Sequence, residues 1–557
     1  RAPAGPGRSG QIADARPDGA STITSQPRSF AMFMQQPEAD QLVQAATAAL
    51  LHGQLARATS LLNEAVRADP RHPMALTKQA ELALLRKDHG TALALTDAAL
   101  AVEPNFAPAW HQRATACWLA GRQADAVRAA RRAVNIQPPN PEFRLRWAQF
   151  AAWSGLSAQT LEALAPLLDA EQHDTPHYAA AISMLGELAV AEGRFGEANT
   201  HLDRALDLQP GLDATRMLRG MNRLRLGQFH TGWVDYAARE NIPELYPDGS
   251  PRLADQAWEG QPLTGRSLLV IDDQGHGDAI QFFRYWPLLR DRGAGHLTWR
   301  TFPPLVRLLS HAAADATVVS ALPEGARFDF QCNSTSLPRW FGTGLDSIPA
   351  PVSYLRPPER PPAPVKRPDT RRARARGPVE RPRVGLVWSG DARHARDHLR
   401  SIPADVFLTL ADTPGIDFHS LQHEVRAADL PALAARPAIG RQVEQAIDFA
   451  DTAALIARLD LVIAVDTGIA HLAGALGKPV WIVLHVAPDW RWLTGREDSP
   501  WYPSARLFRV TPEEWLGRKP ARPRAARAAR PDAAPAGSAW DPVLARVAAA
   551  LQAFAAG

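Results

Sequence analysis

Three prolines, Pro70, Pro104 and Pro138, lie 34 residues apart, and each closes an Ala-rich amphipathic segment. A fixed period of this length restricts the fold more than any other feature of the chain, because it specifies one supersecondary unit used repeatedly. Small residues recur inside the period. The copy ending at Pro70 has Gly53, Ala58 and Ala65; the next has Ala80, Ala92 and Ala99; the third has Trp110, Ala114, Gly121, Ala126 and Ala133. A later copy ends at Pro210 with Gly186, Gly193, Phe195, Ala198 and Ala205, and another carries Gly220, Gly227, Phe229 and Tyr236. The stretch from Pro141 to Asp174 keeps Ala148 and Gly155 but is otherwise degenerate. Small residues let two antiparallel helices approach closely, the glycine sits at the turn between them, and the proline ends the second helix. One such pair cannot bury its own apolar face, so pairs stack into a solenoid with a concave groove.

The spacing resembles the tetratricopeptide repeat, and the groove it implies suits an extended peptide. The chain's 557 residues leave room for more than the repeats, since the prior is three to four domains. Two cysteines, Cys117 and Cys332, exclude a disulfide scaffold and a Cys-rich zinc site. No run approaches the roughly 18 apolar residues that a membrane span requires, and residues 1–38 are polar with no signal-peptide core, so a cytoplasmic location is expected. The net charge of +4 is unevenly placed. Arg356–Arg383 holds ten basic and three acidic residues and Gly517–Ser538 six and one; together they carry +12 and leave −8 for the rest. These Pro/Ala/Arg stretches read as solvated linkers rather than a phosphate-tracking face, so nucleic acid is not an expected partner.

From about Pro251 the pattern changes to short apolar runs alternating with helical segments. Strands are expected at Ser267–Asp273, Leu297–Thr301 and Thr317–Ala321, with helices at Ala279–Arg290 and Pro304–Ala312. A second series begins at Arg383–Trp388 and continues with helix Pro403–Asp412 and strand Ile416–Leu421. Helix Thr452–Leu459, strand Leu461–Val465, helix Ile469–Leu476 and strand Val480–Leu484 complete it. Both read as βαβ units on parallel sheets, whose ligands bind at the carboxyl ends of the strands.

The segment Leu461–Leu484 is the most informative. An apolar strand runs into Asp466, Thr467 and Gly468, and a helix follows with His471 one turn in. Amides at such a helix start, with a nearby hydroxyl, form an anion site suited to a diphosphate. Read structurally, Asp466 and Thr467 are helix caps and His471 a packed histidine. A second loop, Gly275-His-Gly277-Asp278, follows the first strand of the α/β region and opens a helix. Ile280 stands where a dinucleotide fingerprint requires Gly or Ala, and Arg300-Thr301 supplies no acid for a ribose, so that reading is set aside. Without further information Asp278 is an acid complementing a helix dipole. The chain contains no Asp-x-Asp pair, so no metal site bridging nucleotide phosphates is expected.

The Asp-Thr-Gly, two residues, His pattern resembles the nucleotide-sugar site of heptosyltransferase-like glycosyltransferases of family nine. Gly232-Trp233, Trp258-Glu-Gly260, Arg284–Leu289, His485–Trp492 and Ser499–Arg509 resemble a bacterial subgroup that fuses tetratricopeptide repeats to such a domain. The resemblance runs from Ala39 to Phe554 outside the two basic linkers. It implies an α solenoid followed by an α/β GT-B fold, with two Rossmann-like domains facing a cleft. Asp466, Thr467, Gly468 and His471 would then grip the donor diphosphate, with Gly275 and Gly277 facing the cleft. Asp278 would be the catalytic base, and Arg400, where the family often has Lys, would meet leaving-group charge; read blandly, Arg400 is a surface arginine. Ser389, Gly390, Gln422 and Glu424 lie at strand ends of the second domain, and Gln422 and Glu424 would approach the nucleoside. Trp490, Trp492, Trp501 and Tyr502 read as packing.

The implied activity is an inverting, metal-independent transfer from a nucleotide sugar, a co-substrate rather than a cofactor, to a protein hydroxyl selected by the repeats. The alternatives are an inactive repeat scaffold and a transferase directed at lipopolysaccharide or another glycan. The expected domains are a disordered segment at 1–38, the solenoid at 39–245 and a first Rossmann-like domain at 246–355. A basic linker at 356–382 and the nucleotide-sugar domain at 383–516 follow, then a basic spacer at 517–538 and a terminal helix at 539–557. That helix, Asp541–Phe554, is expected to cross back to the first Rossmann-like domain.

Overall fold

The computed structural model describes residues 28–169, 171, 175–245, 256–313, 316–349, 353–358, 381–392, 394, 397–516 and 538–556. The chain divides into two compact units, 1–150 and 151–557. The first consists of helical hairpins: α1 (Arg28–Leu51) with α2 (Leu55–Ala68), α3 (Pro73–Leu85) with α4 (His89–Val102), and α5 (Ala107–Leu119) with α6 (Gln123–Ile136). α7 (Pro141–Trp153) begins the next pair at the unit boundary. The signature alanines Ala58, Ala65, Ala80, Ala92, Ala99, Ala114, Ala126 and Ala133 are fully buried, as close helix approach requires. α1 takes in residues 28–38, which the sequence reading assigned to a disordered segment. The rest of that segment lies outside the described residues.

The turn between the two helices of a pair needs a left-handed residue. Gly53, Gly121 and Gly155 occupy it with φ of 69°, 74° and 69°. In the second copy, which has no glycine at this turn position, Lys87 takes it with φ of 62°. The phase of the repeat therefore imposes a backbone conformation that an L-residue ordinarily avoids.

The second unit continues with α8 (Ser157–Leu164), then α9 (Pro176–Ala191) with α10 (Phe195–Leu208) and α11 (Asp213–Arg225) with α12 (Phe229–Tyr236). α8 is short and passes into a single 3₁₀ turn at Pro166, consistent with the degenerate sequence there. Two parallel sheets follow. The first has the order β3-β2-β1-β4, from β1 (Ser267–Ile271), β2 (His296–Arg300), β3 (Thr317–Val319) and β4 (Phe330–Asn333). The second is β6-β5-β7-β8-β9, from β5 (Arg383–Val387), β6 (Asp417–Ser420), β7 (Leu461–Val465), β8 (Val480–Leu484) and β9 (Ala505–Arg509). β7 is buried at every residue, which explains its unbroken apolar run. The expected helix Ala279–Arg290 is two helices, His276–Phe282 and Trp286–Asp291, joined by a 3₁₀ turn. Pro287 lacks the amide to continue the first and is favoured at the start of the second.

The last repeat is not a separate module. Leu224, Phe229, Trp233 and Tyr236 share one buried cluster with Leu268 and Val270 of β1, Trp299 of β2, Val462 of β7 and Ile482 of β8. The Trp233 indole meets Trp490 edge-on at 5.1 Å and donates its N–H to the Thr343 carbonyl at 2.8 Å. Arg225 donates to the Pro488 carbonyl at 2.9 Å. Arg239 is buried and donates to the hydroxyls of Thr335 and Ser336, with its guanidinium beside Asp273. The compact units thus cut through the solenoid expected at 39–245, because its final hairpin is core to the α/β region.

The terminal helix, Asp541–Ala556, does not return to the first sheet. Val543, Leu544, Val547 and Leu551 pack with Val384, Leu386, Phe407 and Val510 of the second α/β half. An apolar stripe on that half is thereby covered by the terminal helix. The expected linker and spacer at 356–382 and 517–538 fall largely outside the described residues. No helix among the described residues is long and apolar enough to cross a membrane.

Removing the repeats at residue 251 strips Phe229, Trp233 and Tyr236 from this core. A chain starting at 251 is expected to lose cooperative thermal unfolding and bind a hydrophobic dye, whereas one starting at 151 retains a single sharp transition. A sharp transition in both would show that the last hairpin is dispensable to the core.

Candidate functional site

β7 delivers Asp466 and Thr467 to the carboxyl edge of the second sheet, and helix Gly468–Ala475 starts immediately after. The Thr467 carbonyl receives the amides of Ala470 and His471, while its hydroxyl turns back to the Val465 carbonyl at 3.3 Å. Thr467 therefore does not cap the helix with its side chain. The first-turn amides of Gly468 and Ile469 have no carbonyl partner within the helix. His471 is buried, hydrogen-bonds Tyr502 through Nδ1 at 2.8 Å and stacks on Trp492 at 5.2 Å. Burial, aided by the Arg491 charge, pushes its pKa down to about 3, so the ring is neutral. Asp466 lies 3.9 Å from His471 Nε2. Burial, with Asp489 nearby, raises its carboxyl to about 6, although Arg400 opposes the shift.

Arg400, at the end of helix Asp397–Arg400, comes to this turn. Its Nη1 donates to the Asp466 carbonyl at 3.4 Å, and Nε lies 3.5 Å from Asp397. The guanidinium lies against Gly390, where a Cβ would sit 2.7 Å from Cζ. Gln422 is tied into the loops beside this turn. Its side-chain oxygen accepts the amides of Trp388 and Ser389, and its nitrogen donates to the carbonyls of Ser389 and Glu424. The buried amide braces the loop after β5. Glu424 is exposed on the loop after β6.

The loop after β1 meets the same helix from the first α/β half. A Cβ on Gly277 would lie 2.8 Å from Cδ2 of His471 and 3.5 Å from Cα of Gly468. Gly275 is the N-cap of helix His276–Phe282, and its amide donates to Asp278 Oδ2 at 2.9 Å. The helix-acid reading of Asp278 is thus realised in part, but its other oxygen, Oδ1, accepts from Arg491. Gly275, Gly277, Asp278, Arg400, Asp466, Thr467, Gly468 and His471 therefore converge at the carboxyl ends of the two sheets.

Sequence reasoning gave no role to Arg491 or Asp489, although their segment, His485–Trp492, was singled out. Arg491 Nη1 pairs with Asp489 at 2.7 Å, and its guanidinium lies 4.2 Å from the Trp490 ring centre. Their signal was an arginine among buried aromatics. Trp490, Trp492, Trp501 and Tyr502 are at most 1% exposed and pack, as expected.

Residues 422–508 match the model for glycosyltransferase family 9 (heptosyltransferase), and residues 107–150 match a tetratricopeptide repeat. The chain carries tetratricopeptide repeats and a family 9 glycosyltransferase domain. The family 9 match spans β7, the Asp466–His471 turn and β8, and ends within β9. Protein FlbA of Caulobacter vibrioides is 28% identical over 361 residues, which is 60% of this chain and 54% of FlbA. The chain thus spans about half the length of this curated relative. Among solved structures, a thermophilic TPR protein of Thermus thermophilus matches 33% of this chain and 99% of its own, at 20% identity and a TM-score of 0.29. A tetratricopeptide repeat protein of Parabacteroides merdae matches 39% of this chain and 91% of its own, at 14% identity and a TM-score of 0.31.

Two glycines at this junction are glycine for different reasons. Gly277→Ala drives a methyl into the buried His471 ring and is expected to lower stability by about 1–3 kcal/mol. A Cβ on Gly468 meets nothing closer than 3.6 Å, so Gly468→Ala is expected to change stability by less than about 1 kcal/mol. Denaturant unfolding of the two variants checks the contrast.

Asp466 also sets a pH dependence. A carboxyl whose folded pKa is raised to about 6 adds stability that is complete below its unfolded value and is lost as pH rises through the folded one. Replacing it with Asn removes that loss. The gain in melting temperature of Asp466→Asn over the parent should therefore grow between pH 4 and pH 7, and a constant gain would contradict the assignment.

Proposed function

We propose that the chain transfers a sugar from a nucleotide-sugar donor to a hydroxyl of a protein acceptor recruited by the repeats, with inversion and without a metal ion. The observation that carries the reading is the convergence of Asp278, from the first α/β half, with Arg400 and the Asp466–His471 turn of the second. The family 9 match over 422–508 supports the transferase class.

In this reading the donor diphosphate rests on the amides of Gly468 and Ile469 at the positive end of the helix. Neutral His471 adds no charge of its own, and Arg400 supplies a fixed cation beside the Asp466 carbonyl. As the bond from the anomeric carbon to the diphosphate oxygen breaks, these groups hold the charge that develops on the leaving group. The acceptor hydroxyl attacks the opposite face of that carbon, and its proton passes to the Asp278 carboxylate. A single displacement of this kind inverts the anomeric centre. Asp278 has one oxygen toward Gly275 and one toward Arg491, and a carboxylate offers about four lone-pair sites, so acceptor capacity remains. The repeats contribute binding, which raises the acceptor's local concentration at the site.

The test combines binding and turnover. Uridine, guanosine, adenosine and cytidine diphosphates are screened for a rise in melting temperature, and their sugar derivatives are incubated with the protein and a bacterial lysate for mass spectrometry. One diphosphate is expected to bind and its sugar to appear on a protein; neither result would leave the chain a scaffold. Asp278→Asn should keep nucleotide binding while transfer falls by about 10²–10⁴-fold, as expected for a positioned base. Gly468→Val should weaken nucleotide binding while the repeats stay folded. Turnover in excess EDTA should equal turnover with magnesium; loss on chelation, restored by metal, would contradict the metal-free scheme.

A further inference from the structure

Asp278 and Arg491 are 213 residues apart in sequence and come from different α/β halves, yet they form an ion pair with exposures of 18% and 8%. The arginine is fixed on every side. Nε donates to Gln281 Oε1, one turn along the helix that carries Asp278. Nη1 donates to Asp489, and the flat face of the guanidinium lies on Trp490 and beside Phe282. Asp489 is itself anchored, since its backbone neighbour Pro488 accepts from Arg225 of α11. Nη2 is left to meet Asp278 Oδ1. Among the described residues Asp278 has one other restraint, the Gly275 amide on Oδ2.

A buried ion pair contributes little net stability, because desolvating both partners offsets their attraction, and an apolar pair of similar volume packs at least as well. Its value lies in geometry: planar, charge-assisted bonds fix the direction of a carboxylate more tightly than one amide does. A base displaced by a fraction of an ångström loses much of its effect. We infer that Arg491 is a positioning residue for Asp278, holding its carboxylate toward the acceptor hydroxyl from the loop after β8. Arg491 thereby makes the base dependent on the second α/β half, and through Asp489 and Pro488 on the last repeat. The inference rests on the reading of Asp278 as the base.

The experiment is a double-mutant cycle on the full chain. It uses the nucleotide sugar that the parent consumes, reading nucleoside diphosphate released, with affinity for that diphosphate measured in parallel. Arg491→Gln is expected to lower turnover by about 10–100-fold while diphosphate affinity stays within about twofold. Arg491→Lys should recover part of the loss. In an Asp278→Asn background, Arg491→Gln should lower turnover further by no more than about twofold. If Arg491→Gln does not fold, Gln281→Met carries the test. It removes one restraint while keeping the charge, and its smaller loss should likewise vanish in the Asp278→Asn background. An equal loss in both backgrounds, or a loss of diphosphate affinity matching the loss of turnover, would overturn the inference and leave Arg491 a stabilising latch or a donor contact. Full activity of Asp278→Asn, or a parent that consumes no sugar nucleotide, overturns the base reading and this inference together. A crippled Asp278→Asn beside an unimpaired Arg491→Gln overturns this inference alone.

Discussion

The second unit depends on one aromatic contact. Trp490, on the loop after β8, meets Trp233 of the last repeat edge-on and Trp501 at 5.8 Å, and Trp501 in turn meets Phe229 and Phe282. These rings come from the last repeat, from the helix after β1 and from the loops of the second sheet. Each buries a large apolar area, so the cluster fixes three parts of the chain against one another in one step. The polar contacts of the site follow from it. Arg491 sits between Trp490 and Phe282, and Arg284 lies over Trp501 and Tyr502 while donating to the Trp501 carbonyl. Guanidinium groups are weakly hydrated and stack on aromatic faces, which makes arginine suited to such dry surroundings.

That arrangement also explains the electrostatics. His471 and Asp466 are shifted in opposite directions, one down to about 3 and the other up to about 6, with burial as the largest cause of both. A dry junction penalises whichever form is charged. Arg400 is held there by Asp397 and the Asp466 carbonyl, so in the proposed reading its charge is in place before the diphosphate arrives. Preorganised charge of this kind needs no rearrangement at the moment it is used.

Much of this was legible in the sequence, and the exceptions have physical causes. The 34-residue phase gave the hairpins because each copy repeats the same local constraint, and Lys87 shows that the phase persists even where the favoured residue is missing. The strand into Asp466-Thr467-Gly468 was readable because a fully buried parallel strand is an unbroken apolar run. β4, Phe330–Asn333, was not, since four residues with two polar ones carry no period. β9, Ala505–Arg509, was hidden by its two arginines. The bracing by Gln422 was not legible, because the bonds of a buried amide to distant backbone leave no local pattern. Arg491 was missed for a similar reason: its partners lie far away in sequence, and no local pattern records a pair formed across two sheets.

The sharing of one core between α11, α12 and both sheets has a consequence for how the polypeptide acquires its structure. In the first unit each helix packs on its sequence neighbours, so hairpins complete in order as they leave the ribosome, with short loops to close. The second unit has no such order. Arg225 waits for Pro488, 263 residues later, and Phe229 waits for Trp501. Until then Phe229, Trp233 and Tyr236 lack the surfaces that bury them. Synthesis of roughly the whole transferase region at about 5–20 residues per second therefore passes with an apolar hairpin face uncovered. During this interval the nascent chain is a natural client for a chaperone that shields aromatic surfaces.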